Sequence, residues 1–222
     1  MNTIEDLRTV LRPHMVFAGI GMPSMGKGTL FGPIAKQLQD GGLHGRAIST
    51  GEYFRGLKPR ADQGDEEASR ILHDYVYKRN NVPEEYVTAF IEEQVSESLG
   101  PIFFDGYPRT PRQKEILDDI LASNQRQVYG AIYLEGTYAL SNERRLHRIK
   151  TARDNGKMPR QDDVNVDIFN EGIANFYINE APLVGLYMKE RKLVPVSAFG
   201  NPQEVQAEAI DSLTRHLQKH YD

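Results

Sequence analysis

A junction near the start of the chain limits most strongly what it can become. The apolar run Met15-Val-Phe-Ala-Gly-Ile20 leads directly into Gly21-Met-Pro-Ser-Met-Gly26-Lys27-Gly28-Thr29, and from Lys27 to about Gln39 apolar residues recur at helical spacing. A buried strand, a glycine-rich turn and a helix, in that order, form the setting that a phosphate-binding loop needs. Glycines let the main chain approach phosphate oxygens, N–H groups wrap the anion, and the helix N-terminus adds favourable partial charge. Lys27 supplies a full positive charge to the β- and γ-phosphates. The general pattern puts Ser or Thr directly after the lysine, whereas here Gly28 intervenes and the hydroxyl arrives at Thr29. The plain alternative, a glycine turn with a surface lysine, leaves the combination of strand, spacing and helix unexplained.

Further strand signals fall at residues 46–49, 101–105, 128–134 and 193–197, each flanked by helical spacing. Five buried strands joined by crossover helices imply an α/β fold with a parallel sheet. Between the second and third strands about fifty residues carry helical stretches at 66–78 and 84–97, split by Asn80-Asn-Val-Pro83, which reads as a helical insertion over one sheet edge. No internal repeat and no linker rich in Pro, Gly and Ser divides the 222 residues, so one domain is expected. Cysteine is absent, which removes disulfide frameworks, thiolate zinc sites and cysteine nucleophiles. No apolar run approaches the ~20 residues of a bilayer span. Residues 1–13 contain Glu5 and Asp6 and lack the apolar core of a signal peptide, so a cytoplasmic location without a membrane partner is expected. With 27 Lys and Arg against 31 Asp and Glu, the net charge of −4 argues against a general nucleic-acid binder.

Two more segments carry chemistry. Asp105-Gly106-Tyr107-Pro108-Arg109-Thr110 follows Pro101-Ile-Phe-Phe104, which puts a carboxylate at the C-terminal end of a parallel strand, the edge where open α/β sheets bind ligands. A carboxylate there holds Mg²⁺ through water, and Arg109 grips a phosphate bidentately; ordinary Asp-Gly turn chemistry is the rival reading. Ser49-Thr50-Gly51-Glu52-Tyr53-Phe54-Arg55 follows the second strand and sets Arg55 one turn into a helix, although alone it is also a capped helix start.

Together these three segments resemble those of the adenylate kinases and, more broadly, of the nucleoside monophosphate kinases. The family pattern G-x-P-G-x-G-K-G-T corresponds to residues 21–29, S-T-G-D-x-x-R to residues 49–55, and D-G-[FY]-P-R-T to residues 105–110. The likeness continues through Asn81-Val-Pro-Glu-Glu85, Arg160-Gln-Asp-Asp163 and Glu180-Ala-Pro-Leu-Val-Gly-Leu-Tyr187, and so covers nearly the whole chain after residue 14. It implies one domain, 1–222, with a doubly wound α/β core on a five-stranded parallel sheet (14–49, 83–143 and 161–222), a helical monophosphate-binding insertion (50–82) and a mobile lid (144–160). ATP is then expected on Gly21, Met22, Pro23, Ser24, Met25, Gly26, Lys27, Gly28 and Thr29, with Arg144 and Arg148. AMP is expected on Thr50, Gly51, Arg55, Val82, Gly106, Tyr107, Arg109, Gln113 and Arg160. Mg²⁺ is expected on Asp105 through water, with Thr29 as a further ligand. Lys27, Arg109, Arg144, Arg148 and Arg160 are the expected catalytic cations. Gln113 lies eight residues after Asp105, where the family's adenine-reading amide stands; it donates to a ring nitrogen and accepts from the exocyclic amine, unless it is merely a solvated helix residue. Zinc-carrying lids of the family use cysteines, so no zinc is expected here, and a monomer is.

Residues 144–160 hold Arg144, Arg145, Arg148, Lys150, Arg153, Lys157 and Arg160 against Asp154 alone. That concentration suits a cluster that neutralises several phosphates under a lid, although a solvated charged helix or a nucleic-acid surface carries similar charge. The phosphate loop decides for nucleotide phosphates, and no nucleic-acid partner is expected. The chain also departs from the family pattern. Ser24 stands where Gly is usual, so a side chain meets a glycine-type backbone angle; Glu52 replaces Asp, and Leu30 follows Thr29 where Gln is common. More consequential, the family's arginine ten residues before Pro182 is Gly172 here, and no Arg or Lys occurs between Asp162 and Leu186. The longer lid segment 149–159 brings Lys150, Arg153 and Lys157 as candidate substitutes, and Arg153 is the expected one, because its planar fork clamps phosphate oxygens whereas a lysine offers a point charge. The expected activity is reversible Mg²⁺-dependent transfer of the ATP γ-phosphoryl group to AMP, giving two ADP. The alternatives are a kinase of UMP, CMP or GMP, and a nucleotide-binding sensor with low turnover.

Overall fold

The run Met15–Ile20 (β1) is buried along its whole length, as the middle strand of a sheet covered on both faces must be. In the computed structural model, which describes residues 1–78 and 80–221, it lies at the centre of a five-stranded sheet of order β2-β3-β1-β4-β5. Arg79, inside the expected insertion, and Asp222 lie outside the described residues. The other strands are β2 (Arg46–Ser49), β3 (Ile102–Asp105), β4 (Gln127–Glu135) and β5 (Leu193–Ser197), and every pairing is parallel. The five expected strands and their parallel arrangement are therefore present.

In chain order the helices are α1 (Ile4–Val10), α2 (Lys27–Asp40), α3 (Thr50–Arg55), α4 (Lys58–Asp62), α5 (Glu66–Ile71), α6 (Glu84–Glu97), α7 (Pro111–Ser123), α8 (Tyr138–Asp154), α9 (Gln161–Val164), α10 (Val166–Asn175), α11 (Ala181–Lys189) and α12 (Pro202–Tyr221). Helices α1, α2 and α12 pack together on one side of the sheet, and α6, α7 and α11 form the other layer. The core between sheet and helices is largely aromatic and branched: Phe17 stacks on Phe103 at 4.9 Å between ring centroids, and Phe31 of α2 packs against Phe103. Phe31 also lies flush on Gly19, where an added Cβ would come 2.3 Å from the ring. That close approach brings the start of α2, and so the phosphate loop, down onto β1.

Two features depart from the sequence expectation. The core begins before residue 14, because α1 is closed by a capping box between Thr3 and Asp6 and buries Leu7 and Val10. The helical stretch expected at 66–78 is α5 followed by a π-helical turn, Leu72–Val76. A second π-turn, Phe176–Glu180, joins α10 to α11. Helix α8 runs unbroken from Tyr138 to Asp154, so residues 144–154 of the expected lid continue a helix that starts beside the sheet.

The parallel register aligns the carboxyl ends of the strands. Gly19 pairs with Asp105, and Ser49 pairs with Asp105 on the other side. The three turns singled out in the sequence therefore leave the sheet side by side.

Candidate active site

The phosphate loop is held from outside. Its carbonyl oxygens accept hydrogen bonds from surrounding donors: Gly21 and Met22 from the Lys27 ammonium, Pro23 from the Ser141 hydroxyl, and Met25 from the Arg144 guanidinium. With these carbonyls occupied, and the Met25 N–H closing the loop on the Met22 carbonyl at 3.3 Å, the N–H groups at the start of α2 are turned toward an anion. Gly26 adopts φ +97, and an added Cβ there would press on Arg144 at 3.3 Å. Ser24 takes the left-handed angle φ +62 that its side chain disfavours. Its hydroxyl accepts from Arg148 at 2.9 Å, a contact that glycine does not provide. Gly28, the residue that displaces Thr29 from the general motif, also has a physical reason: a Cβ there would sit 3.1 Å from the Asp105 carboxylate.

Asp105 ends β3 and its carboxylate accepts from the Ser49 hydroxyl at 3.2 Å. Beyond it, Gly106 turns at φ +85, and a Cβ would meet the Thr50 hydroxyl at 2.9 Å and Arg109 at 3.0 Å. The Thr50 hydroxyl and the Arg109 guanidinium both donate to the Gly106 carbonyl at 3.0 Å. Arg109 also faces Glu180 at 3.9 Å. Thr110 caps α7 through the N–H of Gln113, which is only 4% exposed. The Gln113 side-chain oxygen accepts from the Arg109 N–H at 2.8 Å, which fixes the amide and leaves its NH₂ as a donor.

Arg55 lies among like and opposite charges. Burial, reinforced by Arg160 and opposed by Asp162 and Asp105, pushes its pKa down to about 10. A cation held in this way gains strongly from an anion that enters beside it.

Helix α8 forms one wall. Arg144 donates to the Met25 carbonyl and also to those of Ala198 and Gly200. Arg148 binds the buried Asp163 carboxylate with both arms of its guanidinium, one at 2.7 Å. Arg145 points the other way, lies over the Phe169 ring at 5.0 Å and is buried, so it belongs to the packing.

These groups line one cavity of about 1020 Å³. It brings together the expected residues Pro23 to Thr29, Thr50, Gly51, Arg55, Val82, Asp105, Gly106, Tyr107, Arg109, Gln113, Arg144, Arg148 and Arg160, along with Gly172. Gly21 and Met22 stand behind the loop and act through the carbonyls that hold Lys27. Arg153 is not brought in: it is exposed and does not line the cavity. The reason is helix geometry, because at about 100° per residue Arg153 lies roughly 140° around α8 from Arg148. Missed in the sequence were His147, Thr151 and Asn155 from this wall, and Asn175 and Glu180; Lys157, already counted in the basic cluster, does line the cavity. The helical spacing from Arg144 through Arg148, Thr151 and Asn155 is the signal that marks the first group, once 144–154 is recognised as helix.

A family model described as an AAA domain matches residues 20–159. The adenylate kinase of Hyphomonas neptunium is 32% identical over 193 residues, covering 85% of this chain and 92% of that protein. The chain belongs to the adenylate kinase family. The adenylate kinase of Flavobacterium psychrophilum is 30% identical over 203 residues (87% of this chain, 96% of that protein), and that of Thermus thermophilus 27% over 188 residues (85% and 91%). As a member of the adenylate kinase family with a P-loop kinase fold, this chain is a phosphotransferase.

Proposed function

We propose that the protein transfers the γ-phosphoryl group of ATP reversibly to AMP, giving two ADP, and that it does so as a monomer with Mg²⁺. One observation carries this reading: a single cavity is lined at once by the phosphate loop with Lys27, Arg144 and Arg148 and by a second cationic group, Arg55, Arg109 and Arg160, beside the buried amide of Gln113. Two anionic nucleotides placed on these groups face each other. Residues 50–82 then serve as the acceptor-binding insertion and residues 144–160 as the lid.

In the transfer an oxygen of the AMP phosphate attacks the γ-phosphorus, one new P–O bond forms, and the bond from phosphorus to the β,γ-bridging oxygen breaks. That oxygen leaves with the electron pair as part of ADP. No side chain needs to act as a nucleophile, because holding the reactants in line and neutralising charge supply most of the acceleration. Lys27 and Arg148 hold the donor, and Arg55 and Arg109 hold the acceptor phosphate.

The oxygen donors fit Mg²⁺. Asp105 and Thr29 line the same cavity, and among the described residues no group of three or more His, Cys, Asp or Glu forms a dedicated metal cage. A cation bound by one carboxylate, water and substrate phosphates is the usual arrangement for magnesium. When bound, it supplies charge neutralisation at the donor phosphates.

Incubating the protein with ATP, Mg²⁺ and each of AMP, UMP, CMP and GMP tests the reading by ADP formation. The expected result is turnover with AMP above all, and a loss of about 10²-fold or more in a folded Lys27→Met variant. Preference for a pyrimidine acceptor would overturn the assignment of AMP. The position of Gly172 in the cavity wall favours a second reading, a nucleotide sensor that binds both ligands and forms little ADP.

A further inference from the structure

The cations that line the cavity fall into two groups and one remainder. Lys27, Arg144 and Arg148 are bonded to the phosphate loop or to Asp163; Arg109 faces Glu180, and Arg55 lies in the field of Arg109, Arg160, Asp105 and Asp162. Helix α10, which packs on α8 through Phe169, contributes Gly172 and Asn175 to the lining. Counting ten residues back from Pro182 reaches Gly172, and allowing for the extra residue of the π-turn Phe176–Glu180 reaches Glu171; neither is positive. Lys157 is the remainder. It lines the cavity, is exposed, and makes no side-chain hydrogen bond or ion pair among the described residues.

Local structure fixes where Lys157 leaves the helix. The Gly156 N–H bonds to the Arg153 carbonyl at 2.9 Å and the Lys157 N–H to that of Ala152 at 2.8 Å, with Gly156 at φ +66. This is a Schellman ending, with Gly156 in the left-handed position that such an ending needs. The chain therefore departs from α8 two residues after Asn155, which itself lines the cavity. It then runs to Arg160, whose charge is felt by Arg55 in the same cavity. Lys157 thus occupies the span between the donor wall and the acceptor cluster.

We propose that Lys157 is a catalytic residue, the cation that meets the phosphoryl group as it passes from ATP to AMP. This rests on the phosphoryl-transfer reading above. Charge that develops on the transferring oxygens in the loose transition state is stabilised by the ammonium, which takes no proton and forms no bond. Arg153 and Lys150, on the far face of α8, do not take this part.

The test compares Lys157→Met, Lys157→Arg and Arg153→Ala with the parent in ADP formation and in binding of two adenosines joined through five phosphates. Lys157→Met should lower kcat by about 10²-fold, with KM for each nucleotide within about threefold, and should bind the analogue at least about tenfold more weakly. Lys157→Arg should retain most activity, and Arg153→Ala should stay within about twofold of the parent; thermal unfolding should be the same throughout, since Lys157 is exposed. A Lys157→Met kcat within about twofold of the parent overturns the proposal. If the parent forms no ADP, the transfer reading has failed, and equal analogue binding by parent and Lys157→Met then overturns this one too.

Discussion

Gln113 carries two loads with one side chain. Its oxygen accepts from the Arg109 N–H, and its NH₂ is left to meet a base. Gln113→Ala should therefore raise KM for AMP by the equivalent of about 1–3 kcal/mol and leave KM for ATP almost unchanged. It should also cost about 1 kcal/mol in stability, since the Arg109 N–H loses its partner. Equal effects on both nucleotides in steady-state kinetics would mean that Gln113 acts only through the fold. Arg55 presents the opposite balance. Its pKa is lowered to about 10 on folding, so between that value and the ordinary arginine range the unfolded chain binds the extra proton and stability rises with pH. Below about pH 10 the side chain is charged in both states and the cost is fully present. At neutral pH, Arg55→Met should raise the unfolding temperature of the ligand-free protein by roughly 2–4 °C, the effect of ~1 kcal/mol in a domain of this size. It should also weaken AMP binding by about tenfold or more. A fall in Tm would show that Arg55 stabilises the empty site.

Helix α8 joins scaffold and chemistry in one element. Its N-cap, Thr137, accepts from the Leu140 N–H, and its early turns press Ser141 and Arg144 onto the phosphate loop. Its last turn ends at Gly156. An added Cβ at Gly156 meets nothing within 4 Å, so Gly156→Ala changes only backbone energy, at about 1 kcal/mol for a side chain at positive φ. A matching drop in thermal stability together with a severalfold lower kcat is expected, because the exit that directs Lys157 is disturbed. If kcat is untouched while stability falls, the helix ending matters for folding alone. At this scale the sequence was only partly legible. The charge excess of 144–160 marked a phosphate-neutralising segment, but Arg153 was selected from its chemistry without the helical phase that turns it away from Arg148. The same phase marks Thr151 and Asn155, and Asn155-Gly156 is itself a readable helix stop.

For the molecule as a whole, an analogue that joins two adenosines through five phosphates should occupy both cationic clusters at once. At a thousandfold excess over Kd it should add about 4 kcal/mol of stability, seen as a higher Tm, and protect residues 155–160 from proteolysis. AMP and ATP added singly should each give a smaller shift; an analogue that stabilises no more than ATP alone would contradict the two-site arrangement. Among the described residues no helix is long and apolar enough to cross a membrane. The parallel sheet, its central strand and the phosphate loop were readable from local pattern, because apolar runs of strand length and a glycine turn before a helix are short-range signals. So were the Asp105 and Ser49 turns, since strand ends in a parallel sheet share one edge. The carbonyl bonds around the loop, Ser24 paired with Arg148, and Asp163 holding that arginine join residues far apart in the chain. No local pattern encodes such pairings. The sequence by itself determined which residues carry charge to phosphate; only packing decided which of those charges are spent on the scaffold, and that Lys157 is left to face the cavity.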